Sequence, residues 1–381
     1  MEGGVGAFTQ ELGRALASAG HDVHIITSNQ ARPENNSRKF WQLNEPIDIG
    51  FAQLHPRIRK WRFRSVREVA DIVFRHELDV VNIQYQAAAY NMRHPAINLL
   101  PFRLKNLTKV IVTFHDLRVP YLFPKAGWLR ETAVSFMAKQ AAGVIVTNPA
   151  DATTLQSKIE TPIVQIPIGS NIQVDAPNHI ELEEVRDDLG LKDDDCLLGY
   201  FGFLNESKGA DSLLNALAKL DARHHLVFIG GQTGASDSAN NATFLSSLKS
   251  LVEKLNLSKR VHWTGFLSDR RVSAYLHAAD VMVMPYRDGS SLRRGTLMAT
   301  LAHGCPLITT WPSANTPELI HKENGYFVPV DDEDAIVEAV ESVLRDADLR
   351  AQLEAGATAV SKLFTWDKIA EETVVFFQGK L

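Results

Sequence analysis

The sequence predicts an α/β fold in which two doubly wound units follow one another. Three observations predict it. Short β-branched runs such as KVIVTF (109–114), GVIVT (143–147) and CLLGYF (196–201) are apolar on both faces, as strands sandwiched between helices are. Helical segments separate consecutive strands, the alternation that builds a parallel sheet. The rhythm lapses at 173–195, a polar and acidic stretch, and then restarts. The 381 residues therefore divide near residue 172 into two units of similar size.

In chain order, the first unit offers strands at 22–27, 79–85, 109–114 and 143–147, with helices at 7–19, 65–75, 128–140 and 150–158. The stretch 173–195 reads as a linker with one short helix. The second unit offers strands at 196–201, 225–229, 260–263, 281–285 and 307–310, and helices at 210–220, 243–255, 269–278 and 296–302. From 332 onward the chain is helical. The segment 366–377 is apolar over so much of its surface that it must pack on something.

Composition narrows the function. Forty basic against 45 acidic residues leave a net charge of −5, with no global basicity to attract nucleic acid. Apolar residues at 45% and charged residues at 22% exclude collagen-like, disordered and disulfide-scaffold chains. No apolar run approaches the ~18 residues of a membrane-spanning helix. MEGGVGAFTQ lacks the basic start and apolar core of a secretory signal. The two cysteines, Cys196 and Cys305, sit in apolar stretches and read as small buried hydrophobes. They suit a reducing, cytoplasmic setting.

In open parallel sheets ligands bind beyond the carboxyl ends of the strands. Four segments fall there. Gly3, Gly4 and Gly6 precede the first helix, where free amides and the helix dipole suit a phosphate; a plain tight turn would use the same glycines. Lys208, in GFLNESKG (202–209), follows the first strand of the second unit and can serve as a point charge or a surface lysine. RDGSSLRRGT (287–296) follows another strand and carries Arg293 and Arg294 before Gly295 and Thr296, an anion loop or a solvated one. His115 ends the strand 109–114 and either meets a substrate or is structural, while Asp116 also fits a turn. Three phosphate-type loops point to a diphosphate ligand. His76, His94, His224, His225 and the cysteines lack metal-ligand spacing, so no metal is expected. No P-loop motif occurs.

These segments, in this order, resemble the retaining glycosyltransferases of family 4 with the GT-B fold. The resemblance runs nearly end to end: GGVGAFTQELGRALASAGHDVHIIT (3–27), TFHD (113–116), VIVTNPAD (144–151), IPIGSNI (166–172), GFLNESKG (202–209), VHWTGFLSDRRVSAYLHAADVMVMPY (261–286), LAHGCPLITT (301–310), TPELI (316–320) and NGYFVP (324–329). It implies two Rossmann-like α/β/α domains facing across a cleft, over 1–172 and 173–362, with helix 363–381 crossing back to the first. It also implies metal-independent transfer of a hexose from a UDP- or GDP-sugar to a glycan or lipid-linked hydroxyl, in cell-envelope or exopolysaccharide synthesis.

The implied roles follow the matched motifs. His115 touches the transferred sugar. Gly4, Lys208, Arg293, Arg294, Gly295 and Thr296 hold the diphosphate, and Gly230, Gly231, Gly265, Phe266 and Leu267 surround the nucleoside. Attack from the leaving-group side, with the leaving phosphate as base, needs no protein carboxylate.

Three departures matter. Phe203 stands where the family has a phosphate-binding Arg, a loss Arg293 or Arg294 can make good. Ser291 and Ala299 stand where the family has two glutamates, so Ser291 and Asp288 are the candidates left at the sugar. The family's opening strand, ahead of the Gly-rich loop, is absent, so the first unit is expected to be short by one strand. The lost glutamates keep a second reading open, an inactive GT-B-like subunit that binds a partner or glycan. A sugar-nucleotide epimerase fits the quoted segments less well. Separately, 55–75 interleaves arginines and Lys60 with Ile58, Trp61 and Phe63. It reads as a peripheral contact for anionic lipid, or as a solvated edge strand running into a helix.

Overall fold

In a computed structural model, residues 4–28, 46–90, 95–117, 127–231 and 238–380 are described. The chain falls into two units. Unit 1 comprises Met1–Ile168 and Trp366–Leu381, and unit 2 comprises Gly169–Thr365. The divisions expected at 172 and 362 lie a few residues from these.

Unit 1 runs α1 (Gly4–Ser18), β1 (His24–Ser28), β2 (Ile47–Asp48), β3 (Gln53–Ile58), α2 (Phe63–Arg75), β4 (Val80–Tyr85), α3 (Leu100–Leu104), β5 (Lys109–Phe114), α4 (Gly127–Gln140), β6 (Gly143–Val146), α5 (Pro149–Gln156) and β7 (Ile163–Gln165). Its described strands form two sheets rather than the single parallel sheet expected. One is parallel, in the order β4-β5-β6-β7; the other has the order β1-β3-β2, with β2 antiparallel to β3. The cause lies in pairing. β1 takes its partner from β3, a strand too basic and mixed in pattern to stand out in the sequence, and no described strand pairs between β1 and β4. β3 is thus a middle strand, not an edge.

Unit 2 runs α6 (His179–Asp188), β8 (Cys196–Phe201), α7 (Ala210–Lys219), β9 (His224–Ile229), α8 (Ser238–Lys254), β10 (Val261–Trp263), α9 (Asp269–Ala278), β11 (Val281–Met284), α10 (Gly295–Ala302), β12 (Leu307–Thr310), β13 (Tyr326–Val328), α11 (Glu333–Arg345) and α12 (Ala347–Ser361). Its sheet is parallel throughout, in the order β10-β9-β8-β11-β12-β13. The order reverses between β8 and β11, the switch point at which such sheets bind ligands. The core packs Leu198, Tyr200, Leu226, Val281, Val283 and Ile308 of the strands against α7 and α11.

Helix α6 is the short helix of the acidic stretch. Its start is fixed by a capping box: Asn178 Oδ1 accepts from the Glu181 amide at 2.9 Å, and Glu181 Oε2 accepts from the Asn178 amide at 3.1 Å. Asn178→Ala should cost about 1 kcal/mol, read as a lower denaturant midpoint at unchanged slope.

The last helix, α13 (Trp366–Gln378), completes unit 1. Ile369 and Ala370 pack with Phe8, Leu12, Ile111 and Ile145, and a Cβ on Gly143 would lie 2.7 Å from the Phe376 ring. Most of its apolar surface is thereby covered, with Val375 left exposed. Both cysteines are free thiols. Cys305 is buried and donates to the Leu276 carbonyl at 3.2 Å, and burial pushes its thiol up to about 12.

One expectation from spacing is overturned. His76 does have ligand-type neighbours, because folding sets it beside His24 and His55. Burial, and the nearness of His24, His76 and Arg57, push His55 down to about 4. His94 lies outside the described residues.

Candidate active site

The carboxyl ends of β8 and β11 gather the charged residues of unit 2. After β8 the chain makes a short 3-10 turn, Glu206–Lys208, closed by Gly209 at φ +67°. A Cβ on Gly209 would lie 2.0 Å from the Pro285 carbonyl oxygen, just past β11. Only glycine admits that approach, and it holds the Lys208 turn against the end of β11.

Tyr286, fully buried after Pro285, is the floor of the cluster. The Arg294 guanidinium carbon lies 4.0 Å from its ring centre and the Lys208 Nζ 4.8 Å. The Tyr286 hydroxyl is 3.2 Å from Thr296 Oγ1. Arg294 is the N-cap of α10, and Gly295 and Thr296 form its first turn. Asp288 bonds Arg294. Two cations and the positive end of a helix thus face one carboxylate.

The electrostatics record the excess. Burial and the Arg294 charge push Lys208 down to about 7, with Asp288 opposing. Among the described residues, Arg294 Nε, Ser290 Oγ and Asn171 Oδ1 are buried without a hydrogen-bond partner. Asn171 Oδ1 lies 3.0 Å from the position of a Cβ on Gly295. A buried cationic donor and a hydroxyl left unsatisfied beside a helix start make a fitting receptor for an oxyanion.

The other arginine of this loop has different work. Arg287 pairs with Asp211 at 2.7 Å and Asp331 at 2.8 Å and donates to the Glu206 carbonyl, tying β11 to α7. Arg293 is half-buried, with its amide on Ser291 Oγ at 3.4 Å. Asp288, expected at a sugar, is committed to Arg294. Tyr286, Ser290 and Asn171 were not singled out in the sequence. Tyr286 alone left a signal, an aromatic after the Pro that ends a strand.

The two nucleoside loops also meet. Gly230 and Gly265 form an isolated antiparallel bridge, and the Gly230 amide donates to Thr264 Oγ1 at 3.0 Å. A Cβ on Gly231 would lie 3.1 Å from the Phe203 ring. Phe203 and Phe266 are exposed, Phe266 by 90%, and Leu267 is half-buried. Exposed rings flanking a glycine bridge offer a stacking surface for a base. The segment 232–237 lies outside the described residues.

In unit 1, His115 follows β5. Its amide donates to the Tyr85 carbonyl at 3.0 Å, and its Nε2 is 2.9 Å from Gln84 Oε1. With Nε2–H donating to that oxygen, Nδ1 is left as an acceptor. The Phe8 ring stands edge-on at 4.6 Å and itself meets Trp366 at 5.2 Å. Burial pushes His115 down to about 4, so it is neutral at pH 7. The helix predicted from residue 7 begins at Gly4, so Gly4 and Gly6 lie within its first turn rather than ahead of it. Gly3 lies outside the described residues.

In unit 2 the switch point thus carries two cations and a helix start, and the glycine bridge lies beside it, past the ends of β9 and β10. Comparison with known proteins takes this further. Residues 2–174 match the family "Glycosyltransferase Family 4" and residues 182–360 match "Glycosyl transferases group 1". The chain belongs to the glycosyltransferases, with a GT-B fold.

Among curated proteins, it is 30% identical over 188 residues to D-inositol 3-phosphate glycosyltransferase of Xylanimonas cellulosilytica, over 49% of this chain and 43% of that one. The chain spans less than half the length of the first curated relatives it matches. Among solved structures, sucrose-phosphate synthase of Thermosynechococcus elongatus superposes with a TM-score of 0.75 at 20% identity, over 99% of this chain and 93% of that one. Anabaena Alr3699/HepE, solved with UDP, gives 0.68 at 17% identity over 82% of each chain.

Proposed function

We propose that this chain is a retaining, metal-independent hexosyltransferase. Its donor is a UDP- or GDP-sugar. Its acceptor is a hydroxyl of a glycan or lipid-linked molecule in cell-envelope or exopolysaccharide assembly. The observation that carries the reading is the pairing of Lys208 and Arg294 over one tyrosine at the start of α10, with Asp288 bonded to Arg294. That excess of positive charge matches a leaving diphosphate. The UDP bound by the Anabaena protein supports a nucleotide ligand on this fold.

The acceptor oxygen attacks the anomeric carbon from the side the diphosphate leaves. The bond from that carbon to the phosphate oxygen breaks, and its electrons stay on the phosphate, which takes the acceptor proton. Lys208 and Arg294 stabilise the growing charge, and the amides of Gly295 and Thr296 hold the distal phosphate. Neutral His115 accepts from a sugar hydroxyl through Nδ1. Phe266, with Gly231, Gly265 and Leu267, holds the nucleoside. Arg293 lies beside the diphosphate and Ser291 towards the sugar, while Asp288 holds Arg294 in place.

A panel of nucleotide sugars, screened by thermal shift and then by product analysis, tests this. The matching donor should raise the unfolding midpoint by mass action and yield product with the donor's anomeric configuration. An inverted product, or Arg294→Ala with unimpaired donor affinity and turnover, would sink the assignment. One observation favours the inactive-subunit reading: Ala299, where the family has a glutamate, is wholly buried in α10 and offers a ribose nothing. Nucleotide binding with neither transfer nor slow hydrolysis would decide for that reading.

His115→Ala should lower turnover about 100-fold with donor affinity nearly unchanged. Because His115 titrates near 4, the pH–rate profile between 5.5 and 6.5 should carry no step that this variant removes.

Among the described residues, no helix is long and apolar enough to cross a membrane. We place the protein in the cytoplasm, in peripheral contact with anionic lipid through 55–75. Phe63 and Phe74, 58% and 73% exposed, flank the buried stripe of α2 and support the contact. Sedimentation with anionic vesicles at low salt, lost at high salt, is the expected result; none at low salt ends the idea.

A further inference from the structure

Three histidines from separate elements meet in unit 1. His24 opens β1, His55 lies within β3 and His76 caps α2. β1 and β3 run parallel with His24 opposite Gln53 and Ile26 opposite His55. His24 and His55 therefore project from the same face, on a diagonal. Their rings stack 5.2 Å apart, and the His76 ring lies 4.6 Å from one and 5.1 Å from the other. One nitrogen from each falls within 4.8 Å of the other two.

We propose that His24, His55 and His76 form a binding site for a zinc-class divalent ion, with Asp22 as its outer-shell carboxylate. The donor set is three imidazoles, which favours zinc, copper or nickel over magnesium or calcium. Asp22 Oδ2 lies 3.2 Å from His24 Nε2, and His24 Nδ1 lies 2.9 Å from His55 Nε2. A proton held on Nε2 by Asp22 turns the Nδ1 lone pair toward the other two rings, the carboxylate–histidine–metal arrangement. A tetrahedral ion at ~2.05 Å from each nitrogen needs them about 3.3 Å apart. His24 Nδ1 and His55 Nε2, hydrogen-bonded at 2.9 Å, come within reach of that separation once the ion displaces the proton between them. His76 is exposed at the end of its helix, so ring rotation closes the remaining gap, and the exposed side gives the ion its entry path and a position for water.

Arg57 and Arg75 share the Asp71 carboxylate, at 3.4 and 2.9 Å, which offsets one of their two charges. The bound ion would clip β1, β3 and α2 together. It is separate from the anion cluster of unit 2 and takes no part in the proposed transfer.

The test is calorimetric titration of the untagged, chelator-stripped chain with zinc sulfate alone, followed by thermal unfolding. One zinc per chain should bind, and the unfolding midpoint should rise with zinc concentration. His76→Ala, at an exposed position, should keep the fold by circular dichroism and lose affinity at least tenfold. Asp22→Asn should weaken binding by roughly 10- to 100-fold. No zinc uptake by the unaltered chain would overturn the proposal. So would equal affinity in His76→Ala, which would put the ion elsewhere, for instance at the exposed His179–Glu183 pair, 3.3 Å apart.

Discussion

Lys208→Met should lower sugar transfer by about 100- to 1,000-fold, the usual cost of removing one preorganised donor at a developing charge, and should at the same time raise the unfolding midpoint. Both effects come from one cause. Burial and Arg294 disfavour the charged form of Lys208, which titrates near 7 rather than 10.5. An unfolded lysine keeps its proton up to about 10.5, so the unfolded chain binds more protons between these limits. Stability from this group therefore rises with pH from about 7 to about 10.5, and the penalty is complete below 7. Methionine removes it.

Donor binding has the opposite sign. A diphosphate favours the ammonium, so binding takes up a proton, and affinity should strengthen as the pH falls from 8 to 6. Calorimetry in buffers of different ionisation enthalpy reads that proton. Undiminished transfer by Lys208→Met, or donor affinity independent of pH across 7, would remove Lys208 from the phosphate site.

Gly209→Val should destabilise unit 2 by about 3 kcal/mol or more, combining strain at positive φ with a backbone collision. The added Cβ would stand 2.0 Å from the Pro285 carbonyl oxygen, which cannot move without shifting the end of β11 and with it Tyr286. Denaturant unfolding reads the stability loss, and transfer should fall with it, because Lys208 and Arg294 share the Tyr286 ring. A valine variant of native stability would mean that the 3-10 turn has room the structure denies it.

Five of the six described strands of unit 2 were legible to within a residue, since short apolar runs between turns leave little choice of element; β13, only three residues long, was not. β3 was hidden for the same reason in reverse: QLHPRI mixes charge with apolar residues, although it occupies the middle of its sheet. Of the candidate site, the sequence carried the loops but not their partnerships. Nothing in RDGSSLRRGT tells Arg287, bound by two aspartates, from Arg294, held over a tyrosine. That distinction depends on Asp211 and Asp331, which lie 76 and 44 residues from Arg287. Ligand spacing failed for the histidines on the same ground, as His24, His55 and His76 converge only through the pairing of β1 with β3.

The return of α13 to unit 1 bears on how the chain is made. Unit 2 is encoded as one uninterrupted block, whereas unit 1 waits for its final helix. While the ribosome works through the intervening block, Phe8, Leu12, Ile111 and Ile145 lack the cover that Ile369 and Ala370 bring. Unit 2 can close before α13 emerges, and unit 1 only after it does. A nascent chain stopped short of residue 366 would offer that uncovered apolar face to chaperones and to other chains.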